Sequence, residues 1–419
     1  MNIINRVKEI HYGWIIVFSG FIIMAAALGI VYNCASLFIK PISQDLGFTR
    51  TQANAIFTIR AICQVIAFLF GARLFKKIRI KRLLQLVTVI LSVSFFSYSF
   101  MDGLISFYFI TFVASMSVAL ISILPLSIII SNWFYDKRGL AIGVAFMGSG
   151  VGGMFFNSLT GYLIANQGWR TTYQVLGIIM FIMIAPITFF VIKTYPRDKG
   201  LKPYGSEDAT KEKDNKKLAN KGLMFKEAIG TLRFWVLAIS SILVMLGINT
   251  IMATTGPHLA DKGYSITFSA NVIALSMGSL AIGKVILGRL FDNLGSRWAV
   301  TVSALAGLLA IIGLLFANLN IALVAIVIGT GMGAAYGSIA TTMVTVDMYG
   351  RKDYGSIFGL LSALGSTGAI IGPVLFGYLY DTTGSYNSSF MIAIGLMILA
   401  IVGMQITLKK PYPKDQVAN

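Results

Sequence analysis

Long apolar stretches recur along almost the whole chain, and they constrain its fold more than any other feature. Each stretch is long enough to cross the ~30 Å hydrocarbon core of a bilayer as a helix. The composition agrees, because 56% of the residues are hydrophobic and 12% are charged, whereas soluble domains carry about 25% charged residues. These features exclude a soluble globular fold and a single membrane anchor, and they predict an embedded all-α bundle.

The apolar stretches predict twelve transmembrane helices, which we number spans 1 to 12. Their expected ranges are 13–39, 51–72, 83–101, 104–131, 139–164, 171–194, 233–257, 266–290, 297–317, 320–345, 355–380 and 387–408. Span 1 follows Arg6 and Lys8 closely and is too long for the apolar part of a signal peptide. We therefore expect an uncleaved first helix.

The lysines and arginines between the spans predict the orientation. With the N-terminus in the cytoplasm, one side carries most of the basic residues, including the run 76–82, the central loop and the C-terminal lysines. The other side carries Lys40, Arg50, Arg170 and Lys262. This distribution satisfies the positive-inside rule and predicts a plasma-membrane protein with both termini in the cytoplasm. The net charge of +18 therefore indicates orientation and not a nucleic-acid partner.

A long polar segment separates six spans from six. It runs from about Tyr195 to Leu232 and contains PRDKGLKPYG and SEDATKEKDNKK, whose mixed charge and low hydrophobicity are typical of a flexible linker. We predict a first six-helix bundle at 1–194, a cytoplasmic linker at 195–232, a second bundle at 233–408 and a cytoplasmic tail at 409–419.

The two bundles also resemble each other in sequence. A shift of 216 positions places Gly143 on Gly359, Gly152 on Gly368, Gly161 on Gly377 and Gly168 on Gly384 without a gap. Parallel repeats of this kind predict two pseudo-symmetric halves, with a solute site near the middle of the membrane.

Several motifs resemble one family of transporters. GRLFDNLGSR, from Gly288 to Arg297, is similar to the loop that joins the second and third helices of each half in the major facilitator superfamily. Further motifs resemble its branch of bacterial monocarboxylate transporters and oxalate/formate antiporters: HYGW at 11–14, LFIKPISQDLGFTR at 37–50, NWFYDKRGLAIGVAFMGSGVGG at 132–153, GWR at 168–170, RDKGLKPYG at 197–205 and GPVLFGYLYDTTGSY at 372–386. The resemblance implies the major facilitator fold and transport by alternating access. In the N-terminal copy of the loop, Lys76 stands where the family has an acid, so that gating contact is expected to be missing.

Two cations lie inside spans that contain no Asp or Glu. Arg60 is about halfway along span 2, and Lys284 is in span 8. An uncompensated charge at such a depth costs several kcal/mol, and a carboxylate substrate would supply the missing counter-charge. Two alternatives stay open: Lys284 extends to the membrane interface, or Arg60 binds backbone carbonyls.

The resemblance assigns a role to Lys284. In the family, an Arg four residues before the glycine of span 8 binds the substrate carboxylate, and Lys284 occupies that place before Gly288. Because Lys is a point charge without a bidentate fork, we expect a different substrate preference. Animal members have an acid one turn earlier, where this chain has Leu280, so proton coupling through that pair is not expected.

Other polar groups in the spans complete the expected site. Asn33 stands where animal monocarboxylate carriers have a Lys, although an amide that packs helices explains it equally well. Further substrate-binding candidates are Tyr32, Asn157, Asn249, Tyr336 and Ser366, each of which also suits interhelical hydrogen bonding. The candidates for gating or coupling are Asp292, Arg297 and His258, the last of which also suits an ordinary helix-end histidine.

Enzyme and nucleotide-binding functions are not supported by the sequence. GSLAIGKV at 278–285 has Val285 where a phosphate-binding loop needs Ser or Thr, and GSGVGG at 148–153 lies inside an apolar helix. Cys34 and Cys63 have neither metal spacing nor a disulfide framework. We expect no catalytic group, cofactor, metal or nucleotide, and membrane lipid and a small solute as the partners.

The expected function is transport of a small organic anion, such as lactate, pyruvate or formate. Proton symport and anion exchange of the oxalate/formate type both remain open, and two cations also suit a dicarboxylate. A carrier for neutral solutes or drugs is the further alternative, but a drug carrier for cations is expected to have an acid in its spans. A receptor on the same scaffold is expected to have an added soluble domain.

Overall fold

The structure is a computed structural model that describes residues 11–48, 50–206, 222–264, 266–383 and 385–409. Some sequence predictions lie outside these residues: Arg6, Lys8, Gly384, the middle of the linker and the tail beyond residue 409.

The first six spans are helical over most of their predicted ranges in the described chain. Span 1 comprises Tyr12–Leu28, a π-helical segment at Gly29–Asn33 and Ala35–Leu46. Span 2 is Arg50–Lys77, span 3 is Ile80–Ser97 with a short 3₁₀ turn at Tyr98–Phe100, and span 4 is Leu104–Ile121 with Ile123–Trp133. Spans 5 and 6 are Arg138–Pro186, followed by π-helical Ile187–Val191. A 3₁₀ turn at Pro196–Lys199 follows.

The last six spans follow a short helix, Phe225–Ile229. Span 7 is Leu232–Asp261, and spans 8 and 9 together are Ile266–Leu315. Span 10 comprises Asn320–Ala334, π-helical Tyr336–Ala340 and Thr341–Tyr349. Span 11 is Tyr354–Thr383 and span 12 is Asn387–Thr407.

The prediction of twelve helices is confirmed. Nine helical stretches of the described chain are long and apolar enough to cross a membrane, and the shorter apolar stretch Ala55–Gly71 belongs to span 2. Two of the nine stretches contain two spans each. The helix is interrupted at Gly168, with φ 78° and ψ 167°, and at Gly295, with φ 75° and ψ 172°. Glycine adopts these backbone angles without steric penalty, so each glycine separates two spans.

Packing divides the chain into two compact units. One contains residues 1–56 and 74–218, and the other contains residues 57–73 and 219–419. Most of span 2 therefore packs with spans 7 to 12. The domain boundaries expected from the sequence stay a prediction.

The same glycine contact occurs once in each unit. A Cβ atom at Gly152 in span 5 would overlap the Ala25 carbonyl oxygen in span 1. Its repeat partner Gly368 in span 11 is pressed in the same way against the Ile242 carbonyl oxygen in span 7. Small residues let helix backbones approach closely, so the predicted internal repeat is visible as a repeated packing contact.

The first part of the predicted linker is docked on the first unit. The Tyr204 backbone N–H donates to the Trp133 carbonyl oxygen at 2.8 Å, and the Tyr204 carbonyl oxygen accepts from the Tyr135 N–H at 2.9 Å. The Tyr204 ring also lies edge-on to His11, with 5.5 Å between ring centroids. His11 Nε2 is 3.0 Å from the Lys202 carbonyl oxygen. This segment thus joins the beginning of span 1 to the end of span 4.

Candidate functional site

Arg60 and Lys284 are both buried, with 4% and 5% of their surfaces exposed. Both belong to the unit that contains residues 57–73 and 219–419. The guanidinium carbon of Arg60 lies 5.8 Å from the ring centroid of Phe57, one turn earlier in span 2. The described part of this unit therefore has two enclosed positive side chains on spans 2 and 8.

Tyr336 begins the π-helical segment of span 10 and is only 2% exposed. Its hydroxyl oxygen lies 2.9 Å from Oγ of Ser241 in span 7, which is 3% exposed. π-Helical segments are frequent at functional sites, because the extra residue displaces the side chains from regular helical positions. Tyr336 is thus a hydrogen-bonding group held at a distorted position of its helix.

Met245 of span 7 lies close to the helix segments that carry three predicted site residues. A Cβ atom at Gly337, which follows Tyr336, would be 3.1 Å from the Met245 Cε atom. A Cβ atom at Gly365, which precedes Ser366, would be 3.7 Å from the Met245 Cγ atom. Asn249 Nδ2 donates to the Met245 carbonyl oxygen at 2.8 Å. The structure therefore brings together the helix segments that carry Tyr336, Ser366 and Asn249.

Lys284 is adjacent to this region through the contact between spans 8 and 10. A Cβ atom at Gly283 would lie 3.1 Å from both the Gly331 carbonyl oxygen and the Met332 Cα atom. Tyr336 follows Met332 by four residues, which is about one helical turn.

Arg60 is linked to span 11 by the packing of span 2. A Cβ atom at Gly359 would overlap the Phe68 carbonyl oxygen. The Phe68 ring also meets the Phe358 ring edge-on, with 5.8 Å between centroids. The segment with Arg60 therefore packs on the helix that carries Ser366.

The remaining substrate-binding candidates belong to the other unit. Tyr32 and Asn33 lie in the π-helical segment of span 1. Asn33 Nδ2 donates to the Ser149 carbonyl oxygen at 2.9 Å, and Asn157 Nδ2 donates to the Gly153 carbonyl oxygen at 2.7 Å. Asn33 therefore makes the helix-packing contact that was one of its two interpretations. A substrate role for these three residues stays a prediction.

The gating candidates lie at helix ends. Asp292 is exposed. Arg297 Nε donates to Gln405 Oε1 in span 12. In the same loop, Ser296 Oγ donates to a carboxylate oxygen of Asp347, at the end of span 10. The loop between spans 8 and 9 is thus fastened to two neighbouring helices, and gating by these residues stays a prediction.

His258 is enclosed at the end of span 7, with 3% of its surface exposed. Its Nε2 atom lies 2.9 Å from the Leu314 carbonyl oxygen of span 9. Its ring lies edge-on to Phe390 of span 12, with 5.0 Å between centroids. His258 therefore joins three spans in addition to being a candidate titrating group.

Ser241 was not among the residues predicted from the sequence. The Ser240–Ser241 pair in an apolar span is a visible signal, but many serines in apolar helices bond to the carbonyl four residues earlier. Only the distorted geometry of span 10 reveals that one of the two reaches Tyr336.

A family model described as Major Facilitator Superfamily matches residues 17–346 and 237–419. The chain is 22% identical over 401 residues to monocarboxylate transporter 13 of Rattus norvegicus, covering 95% of this chain and 89% of the relative. It is 25% identical over 390 residues to the oxalate:formate antiporter of Oxalobacter formigenes, covering 90% and 87%. The crystal structure of the transporter FucP in its outward conformation superposes with a TM-score of 0.70 at 14% identity, covering 94% of this chain and 99% of FucP. The fold expected from the sequence is confirmed.

Proposed function

Because the chain belongs to the major facilitator superfamily, we propose that this membrane transporter carries a small carboxylate anion by alternating access. The observation that supports this most is the enclosure of Arg60 and Lys284, at 4% and 5% exposure, in one unit that also contains Tyr336. Cationic groups and hydroxyl donors are the partners that carboxylates bind most strongly.

The heights of these residues along their helices favour a single site. Gly283 packs against Met332, and Tyr336 lies one turn beyond Met332. Spans 8 and 10 run in the same direction, and Lys284 lies one residue beyond Gly283. At 1.5 Å per residue, Lys284 and Tyr336 therefore differ in height by roughly 4.5 Å. A small carboxylate with hydrogen-bond acceptors at both ends spans such a distance.

Arg60 in span 2 lies at a height similar to that of Ser366 in span 11. It precedes Phe68 by eight residues, and Ser366 follows Gly359 by seven, while Phe68 and Gly359 are in contact. Consecutive spans cross in opposite directions, so the even-numbered span 2 and the odd-numbered span 11 are antiparallel. Arg60 and Ser366 therefore lie on the same side of that contact, displaced by roughly 12 and 10 Å.

The relatives point to the same class of substrate. One is a monocarboxylate transporter and another exchanges oxalate and formate, according to their names. Our first proposal for this chain is proton-driven symport of a monocarboxylate. Anion exchange is the second, and the presence of two buried cations favours it for a dicarboxylate such as oxalate.

Uptake into proteoliposomes tests the proposal. Labelled lactate, formate and oxalate are offered with an inward proton gradient or with preloaded anion, to the wild type, Lys284→Ala and Lys262→Ala. Lys262 is the matched control, because it is an exposed lysine just beyond span 7. We expect Lys284→Ala to reduce uptake at least about 30-fold, as loss of a buried charged partner does, and Lys262→Ala to transport normally.

The two driving forces separate the coupling modes. Uptake that follows the proton gradient establishes symport, whereas uptake that needs preloaded anion establishes exchange. The proposal is wrong if wild-type protein moves none of the three anions, or if Lys284→Ala transports as well as Lys262→Ala.

A further inference from the structure

We infer that Ser241 is a positioning residue, which holds the Tyr336 hydroxyl in the orientation that donates a hydrogen bond to the substrate carboxylate. The inference rests on the proposed function and adds a residue that neither the motifs nor the relatives indicate. It starts from the 2.9 Å separation between Ser241 Oγ and the Tyr336 hydroxyl oxygen.

The chemistry of the two hydroxyls fixes the direction of this hydrogen bond when an anion is present. A hydroxyl has one proton to donate and two lone pairs to accept. A phenolic O–H is the stronger donor of the two, because its oxygen shares charge with the ring. The favourable chain is therefore Ser241 donating to Tyr336, and Tyr336 donating to the carboxylate. Each hydrogen bond in such a chain polarises the next and strengthens it.

The packing around the pair keeps both side chains in place. Ser241 and Tyr336 are 3% and 2% exposed. A Cβ atom at Gly365 would lie 3.9 Å from the Ser241 Cβ atom, and one at Gly337 would lie 3.1 Å from the Met245 Cε atom. Spans 7, 10 and 11 therefore meet around this pair. Tyr336 belongs to a π-helical segment, and the hydrogen bond with Ser241 holds the Tyr336 hydroxyl in place within it.

Ser240 is a matched control, because it has the same side chain as Ser241 but faces a different span. It is also 3% exposed. A Cβ atom at Gly403 in span 12 would overlap its Oγ atom, so Ser240 faces span 12 and Ser241 faces span 10. Removal of the Ser240 hydroxyl opens the same small volume in the same helix without touching Tyr336.

A double-mutant cycle tests the inference. The variants are Ser241→Ala, Tyr336→Phe, their combination and Ser240→Ala, and the readout is KM and Vmax for the anion that the wild type transports best. We expect Ser241→Ala and Tyr336→Phe each to raise KM about tenfold, the effect of one hydrogen bond to a charged group, with Vmax little changed. The combination is expected to raise KM no further, because both changes break the same chain.

Ser241→Cys keeps the inference testable if Ser241→Ala fails to fold. It keeps the size of the side chain with a weaker donor, and we expect an intermediate KM. Melting temperatures of Ser241→Ala and Ser240→Ala are expected to agree, which separates a substrate effect from a packing effect.

The inference is overturned if Ser241→Ala has the KM of Ser240→Ala, or if the effects of Ser241→Ala and Tyr336→Phe multiply. If Lys284→Ala abolishes carboxylate uptake while the serine variants behave alike, the carboxylate site stands and the role of Ser241 falls. If the wild type binds no carboxylate, both proposals fall together.

Discussion

At the residue scale, His258 combines a structural contact with a group that titrates. It follows the apolar stretch Leu232–Gly256, and burial lowers its pKa, although the hydrogen bond to the Leu314 carbonyl oxygen opposes this shift. Lys262 adds to the lowering and Asp261 counteracts it. The neutral imidazole is therefore the form that joins span 7 to span 9.

This shift predicts an acid-labile fold. In the unfolded chain a histidine has a pKa of about 6.5, so as the pH falls below this value the unfolded chain binds a proton before the folded one does. The stability is thus complete above pH ~6.5 and declines as the pH falls towards the lowered pKa of the folded protein. We expect the melting temperature in detergent to drop between pH 7.5 and 5.5, and His258→Gln to reduce this drop.

Transport by the same variant separates the two roles of His258. Glutamine can donate to the Leu314 carbonyl but does not titrate in this range. If His258→Gln keeps proton-driven uptake, His258 stabilises the fold, whereas loss of proton stimulation with anion binding intact makes it a coupling group. If the melting temperature of His258→Gln falls between pH 7.5 and 5.5 by as much as that of the wild type, protonation of His258 is not the cause of acid lability and the prediction is wrong.

Single residues also show where sequence reasoning stops. Arg60 and Lys284 stand out as charged residues in apolar spans. The burial of these two side chains was predictable, because the residues on both sides of each in the sequence are mostly apolar. Ser241 and Asn33 are different, because their partners, Tyr336 and the Ser149 carbonyl, are on distant spans. The partner that a polar side chain contacts depends on how its helix is rotated about its axis. A π-helical segment changes this rotation, so the partner is not visible in the sequence.

At the element scale, repeated glycine contacts set the distance between helices. Gly152 and Gly368 each face a backbone carbonyl of the neighbouring span, whereas a Cβ atom at Gly161 would meet nothing within 4 Å. We expect Gly152→Ala and Gly368→Ala each to destabilise the fold by roughly 1–3 kcal/mol, because a backbone oxygen cannot rotate away. Gly161→Ala, on the same helix as Gly152, is expected to be neutral.

Thermal stability in detergent measures these three variants. The repeat further predicts that Gly152→Ala and Gly368→Ala lower the melting temperature by similar amounts. A melting temperature of Gly368→Ala equal to that of Gly161→Ala would contradict the close contact between spans 7 and 11.

The docked part of the predicted linker is a second element with a measurable role. Tyr204 bonds to the end of span 4 through its backbone, and its ring contacts His11, Trp14 and Phe134. We expect Tyr204→Ala to lower the melting temperature by roughly 2–5 °C through loss of these aromatic contacts. Leu201→Ala in the same segment is the control, because Leu201 is 41% exposed. Equal melting temperatures of the two variants would mean that the segment adds no stability.

At the scale of the whole molecule, hydrophobic length and repetition were enough to predict the architecture. Twelve apolar stretches need twelve helices, since unpaired backbone groups are too costly in hydrocarbon. The docking of residues 195–206 was missed, because the low average hydrophobicity of the linker conceals Tyr204, Pro203 and the backbone bonds that fix them. The packing of residues 57–73 with the second unit was also not predictable, as it depends on contacts between distant segments.

The orientation of the whole chain is the last prediction, and the two native cysteines make it testable. Cys34 and Cys63 are both buried, so an impermeant maleimide is expected to label the wild type weakly. Lys262→Cys and Asn293→Cys place a thiol at exposed positions on opposite ends of span 8. The positive-inside rule puts the basic loop with Asn293 in the cytoplasm. In intact cells we therefore expect Lys262→Cys to be labelled without lysis and Asn293→Cys only after lysis. The reverse pattern would place both termini outside the cell and contradict the orientation that the positive-inside rule predicts.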